Sequence, residues 1–412
     1  MSDLGQLLRV RDFRLLWLAQ IGSDFGDNLT FLSLMILVQR LTGSTVALAG
    51  LMIAAALPAL VFGVLSGVYV DRFDRRRTMI VSDAIRGILI LALIFVRSEA
   101  MLPLMYSVVF AQATIATLFN PARGALLPHI VGKERLLSAN SVSQTSRVLF
   151  NVLGSGAAGV LASVSSSMSA AFIVDSATFL SSAMFISMIA TRAKPAGDSR
   201  GAKALRDMAA GFRVMSASRP LKGILVGAAL AMLGFGAVNV LVVPLLLDEL
   251  RVSAAYLGLI DAAQVVGMIA SGLLVAVLAA RLHATTLVSA GLLGAGATIA
   301  LVAGVDNVWQ MAGVAVLVGL MMTPVQSGVS TLSQLLVEDR MRGRVGGALN
   351  ALISGASILS MAFAGVAAAA LGVRSVFVLA GVLAAAGGLM SAFLFRGARL
   401  DTSPSSPVTQ PV

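Results

Sequence analysis

Apolar residues in this chain come in long unbroken runs, with the polar residues confined to short stretches between them. The runs cover about 15–38, 46–70, 78–96, 102–119, 145–164, 170–190, 223–247, 255–279, 285–304, 308–330, 345–371 and 374–395, each near the ~20 residues that a helix needs to cross a bilayer core. None alternates apolar with polar residues, so the pattern predicts helices and excludes the strands of a membrane barrel. The expected fold is an all-α membrane protein with twelve transmembrane helices. One long polar stretch near the middle divides the runs six and six. The expected organisation is therefore an N-terminal six-helix bundle over 1–192, a cytoplasmic central loop over 193–222, and a C-terminal six-helix bundle over 223–396. A Pro/Ser/Thr-rich tail, 397–412, has the composition of a disordered cytoplasmic end.

Composition narrows the class. With 58% hydrophobic and 12% charged residues in 412, and mean hydropathy of +0.93, the chain lacks the polar surface of a soluble domain. The net charge of +11 would suit nucleic acid, so its distribution decides. With the N-terminus inside, 23 of the 30 basic residues fall in cytoplasmic segments, and only Arg40, Arg97, Arg251 and Arg374 fall outside. That bias requires an even number of spans with both termini in the cytoplasm, and the expected location is the inner membrane of a bacterial cell. The charge is a topology device, and no nucleic-acid partner is expected. The first run follows Arg9, Arg11 and Arg14 but is too long for a signal peptide and carries Asp24 and Asp27, so it stays as a helix. There is no cysteine, which excludes disulfides and thiolate metal sites, and no phosphate-cradling G-x-x-x-x-G-K-[ST] loop for ATP. Gly154, Gly156 and Gly159 spell a dinucleotide-like G-x-G-x-x-G, but inside a spanning helix they serve close packing. His129 and His283 sit at helix ends, so a serine–histidine enzyme is not expected, nor a metal or other cofactor.

Between the second and third runs the sequence reads Gly67-Val68-Tyr69-Val70-Asp71-Arg72-Phe73-Asp74-Arg75-Arg76-Arg77. Physically, an acid at a membrane edge can pair with an arginine or a facing helix N-terminus, and the arginines anchor the loop to the cytoplasmic face. The run resembles the signature loop of the major facilitator superfamily, G-x-x-x-D-R-x-x-R-R, at every fixed position. The resemblance implies the fold of two six-helix bundles. It also implies that Gly67, Asp71, Arg72 and Arg76 form a cytoplasmic latch between them in the outward-facing state. Phe13-Arg14-Leu15-Leu16-Trp17, Gly26-Asp27, Phe119-Asn120-Pro121-Ala122-Arg123 and Arg342-Gly343-Arg344-Val345 look like the branch containing macrolide exporters and enterobactin-type siderophore exporters. In the fifth helix, the proline usual in the antiporter signature is absent, Ser155 standing near its position.

Ionisable residues inside the membrane are costly and invite a functional question. Asp24 and Asp27 lie near the middle of the first helix with i, i+3 spacing, on one face, where binding a proton relieves both burial and mutual repulsion. Asp27, assisted by Asp24, is the first candidate for proton coupling. Its structural alternative is pairing with an arginine such as Arg86 or Arg147. Asp261, the only acid well inside the second half, is the reserve. Asp83 and Arg86 are expected to neutralise each other, or Arg147. With Arg123 and Asp175 they make an intramembrane charge network. Asn239, Gln264 and Gln326 are candidates for hydrogen bonds to cargo or between helices.

The expected function is secondary active transport by alternating access: proton-coupled efflux of a drug-like or siderophore-like small molecule, the protein acting as a monomer in the bilayer. The alternatives are uptake of a metal chelate, flipping of a lysophospholipid, and, more remotely, a non-transporting sensor.

Overall fold

The computed structural model describes residues 3–70, 72–165, 167–192, 201–278 and 282–396. After a short helix α1 (Asp3–Arg9), the chain forms α2 (Arg11–Thr42), α3 (Thr45–Val70), α4 (Arg75–Ile90), α5 (Leu102–Val131), α6 (Leu136–Val164) and α7 (Ser169–Ser187). Then follow α8 (Gly201–Ala217), α9 (Arg219–Pro244), α10 (Ala255–Leu278), α11 (Ala284–Leu301), α12 (Val308–Leu336), α13 (Asp339–Leu371) and α14 (Val373–Phe395). Among the described residues there is no strand, and twelve helices are long and apolar enough to cross a membrane. The protein is a multi-pass membrane protein.

The apolar runs underestimate several helices. α5 and α12 continue well past Phe119 and Ser330, and α6 and α13 begin before Thr145 and Val345. The extra turns carry polar and charged residues at the arginine-rich end, where hydrogen bonding continues the helix after hydropathy has fallen. Asp74 caps α4 by accepting from the Arg77 backbone N–H at 2.8 Å. Asn307 caps α12, accepting from the N–H groups of Trp309 and Gln310 at 3.1 and 3.0 Å.

The helices pack in two groups. In the first, α2 lies against α6 and α7, α3 against α5, and α4 against α5 and α7. In the second, α9 lies against α13 and α14, α10 against α12, and α11 against α12 and α14. The groups meet chiefly through two pairings, α3 with α13 and α6 with α10. These cross-contacts gather at the end opposite the arginine-rich loops. There Gly159 abuts the Ala254 carbonyl, Gly258 lies against Gly156, and Gly365 against Thr45 and Ala49, each without room for a side chain. The Thr45 hydroxyl donates to the Gly365 carbonyl at 2.7 Å, and the Gln39 amide donates to Asp248.

The central segment corrects one expectation. Where a loop is expected over 193–222, the described part holds the helix α8, packed on α13, and the first turn of α9. Gly211 meets the Arg344 backbone, and the Arg344 guanidinium pairs with Asp207 at 3.0 Å. Residues 193–200 and the tail 397–412 lie outside the described residues.

Candidate functional site: a charge cluster beside a central cavity

A charge cannot be left in hydrocarbon, so the buried ionisable groups of the first bundle are built into partners. Arg86 of α4, 8% exposed, is held from three sides. Its Nη2 donates to Asp27 Oδ1 of α2 at 2.7 Å, and its Nε donates to Gln112 Oε1 of α5 at 3.2 Å. Its guanidinium carbon lies 4.1 Å from the centre of the Phe179 ring of α7. Gln112 returns a hydrogen bond from its amide to the Arg86 carbonyl at 2.8 Å, which fixes the arginine backbone as well as its head. Four helices thereby meet at one guanidinium.

Two further carboxyls complete the cluster. Asp83, one turn before Arg86, accepts from the Ser182 hydroxyl at 2.5 Å, and its second oxygen has no hydrogen-bond partner. Arg86 therefore pairs with Asp27 and not, as expected from the i, i+3 spacing, with Asp83. The two sit on the same helix, but the guanidinium reaches across to α2 while the carboxyl turns to α7. Asp175, fully buried on α7, accepts from the Thr178 hydroxyl at 3.2 Å and likewise keeps one oxygen without a partner. Three acids thus stand around one base.

Asp24 and Arg123 lie toward the arginine-rich end of this cluster. Asp24 is half-buried on α2. The Gln20 carboxamide, with its oxygen turned inward, accepts from the Arg123 guanidinium. The Asn28 amide donates to the Asp24 carbonyl at 2.9 Å and to Asn151 Oδ1 at 2.7 Å, tying α2 to α6. Among the latch candidates, Arg76 donates through Nε to the Ile186 carbonyl at 3.1 Å and through Nη2 to that of Ser187, so it binds the end of α7. Gly67 is in the last turns of α3, Arg72 is at the surface, and Asp71 lies outside the described residues.

Between the bundles lies a cavity of about 510 Å³, walled by helices of both groups. Its polar groups are Asn28 of α2, Ser155 of α6, Asn239 of α9, and Asp261 and Gln264 of α10; the rest of the lining is aliphatic, aromatic or thioether. Asp261 shares the cavity wall with Ser155 of the other bundle, whose hydroxyl donates to the Asn151 carbonyl at 3.0 Å. Gln326 is elsewhere, in a second pocket of about 400 Å³ within the second bundle, shared with Asn350. Asn28, Gln112 and Ser182 were not singled out from the sequence. Each is an uncharged polar residue inside an apolar run, which is the signal that would have found it.

Comparisons with known proteins identify the family. Residues 6–412 match the major facilitator superfamily model described as transmembrane secretion effector. Macrolide efflux protein A of Streptococcus pyogenes is 24% identical over 375 residues, 89% of this chain and 92% of that one. The enterobactin exporter EntS of Escherichia coli is 26% identical over 340 residues, 81% of this chain and 80% of that one. The match to the uncharacterized MFS-type transporter YfiS of Bacillus subtilis, 30% identical, spans 40% of this chain and only 39% of YfiS. Among solved structures, the nucleoside transporter NupG superposes with a TM-score of 0.76 at 11% identity, covering 93% of this chain and 99% of that one.

Proposed function

The chain belongs to the transmembrane secretion effector family of the major facilitator superfamily, whose members are transporters and not enzymes, and on that premise we propose that it is a proton-coupled exporter of an amphipathic small molecule. The observation that carries the reading is the cavity: it is lined by helices of both bundles, and beyond it, at the end away from the arginine-rich loops, the bundles pack closely through glycines of α6, α10 and α13. Such an interface can open and close as a rigid-body rocking of one bundle on the other, which is what alternating access requires. Efflux is the direction named for both macrolide efflux protein A and the enterobactin exporter.

The positive-inside distribution of arginines orients the molecule in a bacterial inner membrane with both termini in the cytoplasm. The glycine-packed end is then periplasmic, and the arrangement described is closed to the outside. Gly67, Asp71, Arg72 and Arg76 would latch the opposite face when the bundles rock the other way. The monomer suffices, since both walls of the cavity come from one chain.

Proton coupling falls to the cluster around Arg86. It has more acid than base, so protons are the counter-ions at hand. Protonation of Asp27 would release Arg86, and Asn28, the next residue, already lines the cavity. A proton at Asp27 is thereby read at the cargo site through a single turn of α2. The test is transport in inside-out membrane vesicles energised by a pH gradient. The reading expects cargo to accumulate inside, an uncoupler to abolish it, and Asp27→Asn to do the same. Gradient-driven loss of cargo would make this an uptake protein. Movement of labelled lysolipid alone would make it a flippase.

A further inference from the structure

Within the central cavity one carboxyl has no base opposite it. Asp261 lines the wall from α10, and the neutral Ser155 of α6 lines the same cavity. Among the described residues no Lys, Arg or His forms an ion pair with Asp261, unlike Asp27, which has Arg86. Gln264 stands one turn along the same helix, and Asn239 faces the same space from α9. Most of the remaining wall is apolar, including the flexible thioethers of Met35, Met52 and others, which adapt to a bulky apolar body.

An isolated carboxylate in an apolar cavity is unfavourable by several kcal/mol unless it takes up a proton or a cation joins it. An arriving positive charge offsets that cost, whereas an anion would add repulsion at low local dielectric. Neutral cargo leaves the carboxylate unanswered. We infer that the cavity selects an amphipathic monocation, an apolar body bearing one protonated amine or quaternary centre, with its charge against Asp261 and its polar substituents against Asn239 and Gln264. This deepens the transport reading above and rests on it. It narrows the amphipathic cargo proposed there to a lipophilic amine or quaternary cation.

Tetraphenylphosphonium and tetraphenylborate have nearly the same shape and opposite charge, so they isolate the charge contribution. Binding of each to the full-length purified protein is measured by equilibrium dialysis against detergent alone. Wild-type protein is expected to bind the phosphonium in preference to the borate. Asp261→Asn weakens phosphonium binding about tenfold or more, Asp261→Glu keeps most of it, and Asn239→Asp strengthens it. The idea is overturned if Asp261→Asn binds the phosphonium within about twofold of wild type, or if wild type prefers the borate. Should Asp261→Asn not fold, Asn239→Asp decides: unchanged or weaker phosphonium binding refutes the assignment. Vesicle transport is read separately. Asp261-dependent binding without movement of any cargo would defeat the transport reading and leave this one standing. Transport that ignores Asp261→Asn would do the reverse.

Discussion

Gly26 of α2 packs directly on the Asp175 carboxyl of α7, and a methyl group at position 26 would overlap both Asp175 Oδ1 and the Thr178 hydroxyl. The contact lets the two helices approach closely enough for Asp27, the next residue, to reach Arg86. Asp175 is fully buried and cannot swing into solvent to make room. Gly26→Ala should therefore destabilise the protein by ~1–3 kcal/mol. Gly22→Ala, where nothing lies within 4 Å, should be neutral or slightly stabilising. Thermal unfolding of both variants in the same detergent tests this, and equal midpoints for the two would refute it.

Arg86 is more buried than Asp27, whose side chain is 43% exposed. Removing the acid takes from the buried Arg86 its ion-pair partner, so Asp27→Asn should cost about 2 kcal/mol of stability. Asp27→Asn combined with Arg86→Gln removes both charges and should be less destabilised than the sum of the single changes. A double-mutant cycle by unfolding in detergent measures the coupling, and strict additivity would mean the pair contributes nothing.

The glycine contacts between α6 and α10 hold one end of the molecule shut. A bulky side chain at Gly258, which lies against Gly156, should wedge the bundles apart there. Because the chain has no cysteine, a single Asn239→Cys probe in the cavity reports access without background. Adding Gly258→Leu should raise its labelling by a membrane-impermeant maleimide applied to intact spheroplasts, about tenfold or more if the closed state dominates wild type. Unchanged labelling would show that this interface is not the gate.

The pair Arg344–Asp207 attaches α8 to the start of α13. Both side chains are about one-third exposed, so breaking the pair should cost no more than ~1 kcal/mol. The effect should appear locally, as faster trypsin cleavage within α8 in Asp207→Ala. Reversal by the charge swap Asp207→Arg with Arg344→Asp would identify the ion pair as the cause. Cleavage at the wild-type rate in Asp207→Ala would show that Gly211 packing alone holds the helix.

Much of this architecture is legible in residue order. Twelve bilayer-length runs and a basic centre are properties of local composition, and the G-x-x-x-D-R-x-x-R-R spacing from Gly67 to Arg76 is local too. Helix ends are less legible. Hydropathy falls at Phe119, yet α5 runs on to Val131, because backbone hydrogen bonding continues where the bilayer no longer demands apolar side chains. The helix α8 was hidden for the same reason: its residues are polar enough to read as loop, and its order comes from the face laid against α13.

The charge network divides in the same way. That Asp27, Asp83, Asp175 and Arg86 are intramembrane follows from their place in apolar runs. Which acid holds Arg86 does not, because Asp27 is 59 residues away in sequence and Asp83 only one turn. The choice depends on how α2 and α4 are rotated about their axes, and packing sets those rotations, including the absent side chain at Gly26. Sequence alone determined the membrane class, the number of spans and the family, because hydropathy and motif spacing are read along one helix at a time. Tertiary structure decided that Arg86 pairs with Asp27 and that Asp261 lines the space between the bundles. Both are relations between helices, and they exist only once two bundles have closed around a common cavity.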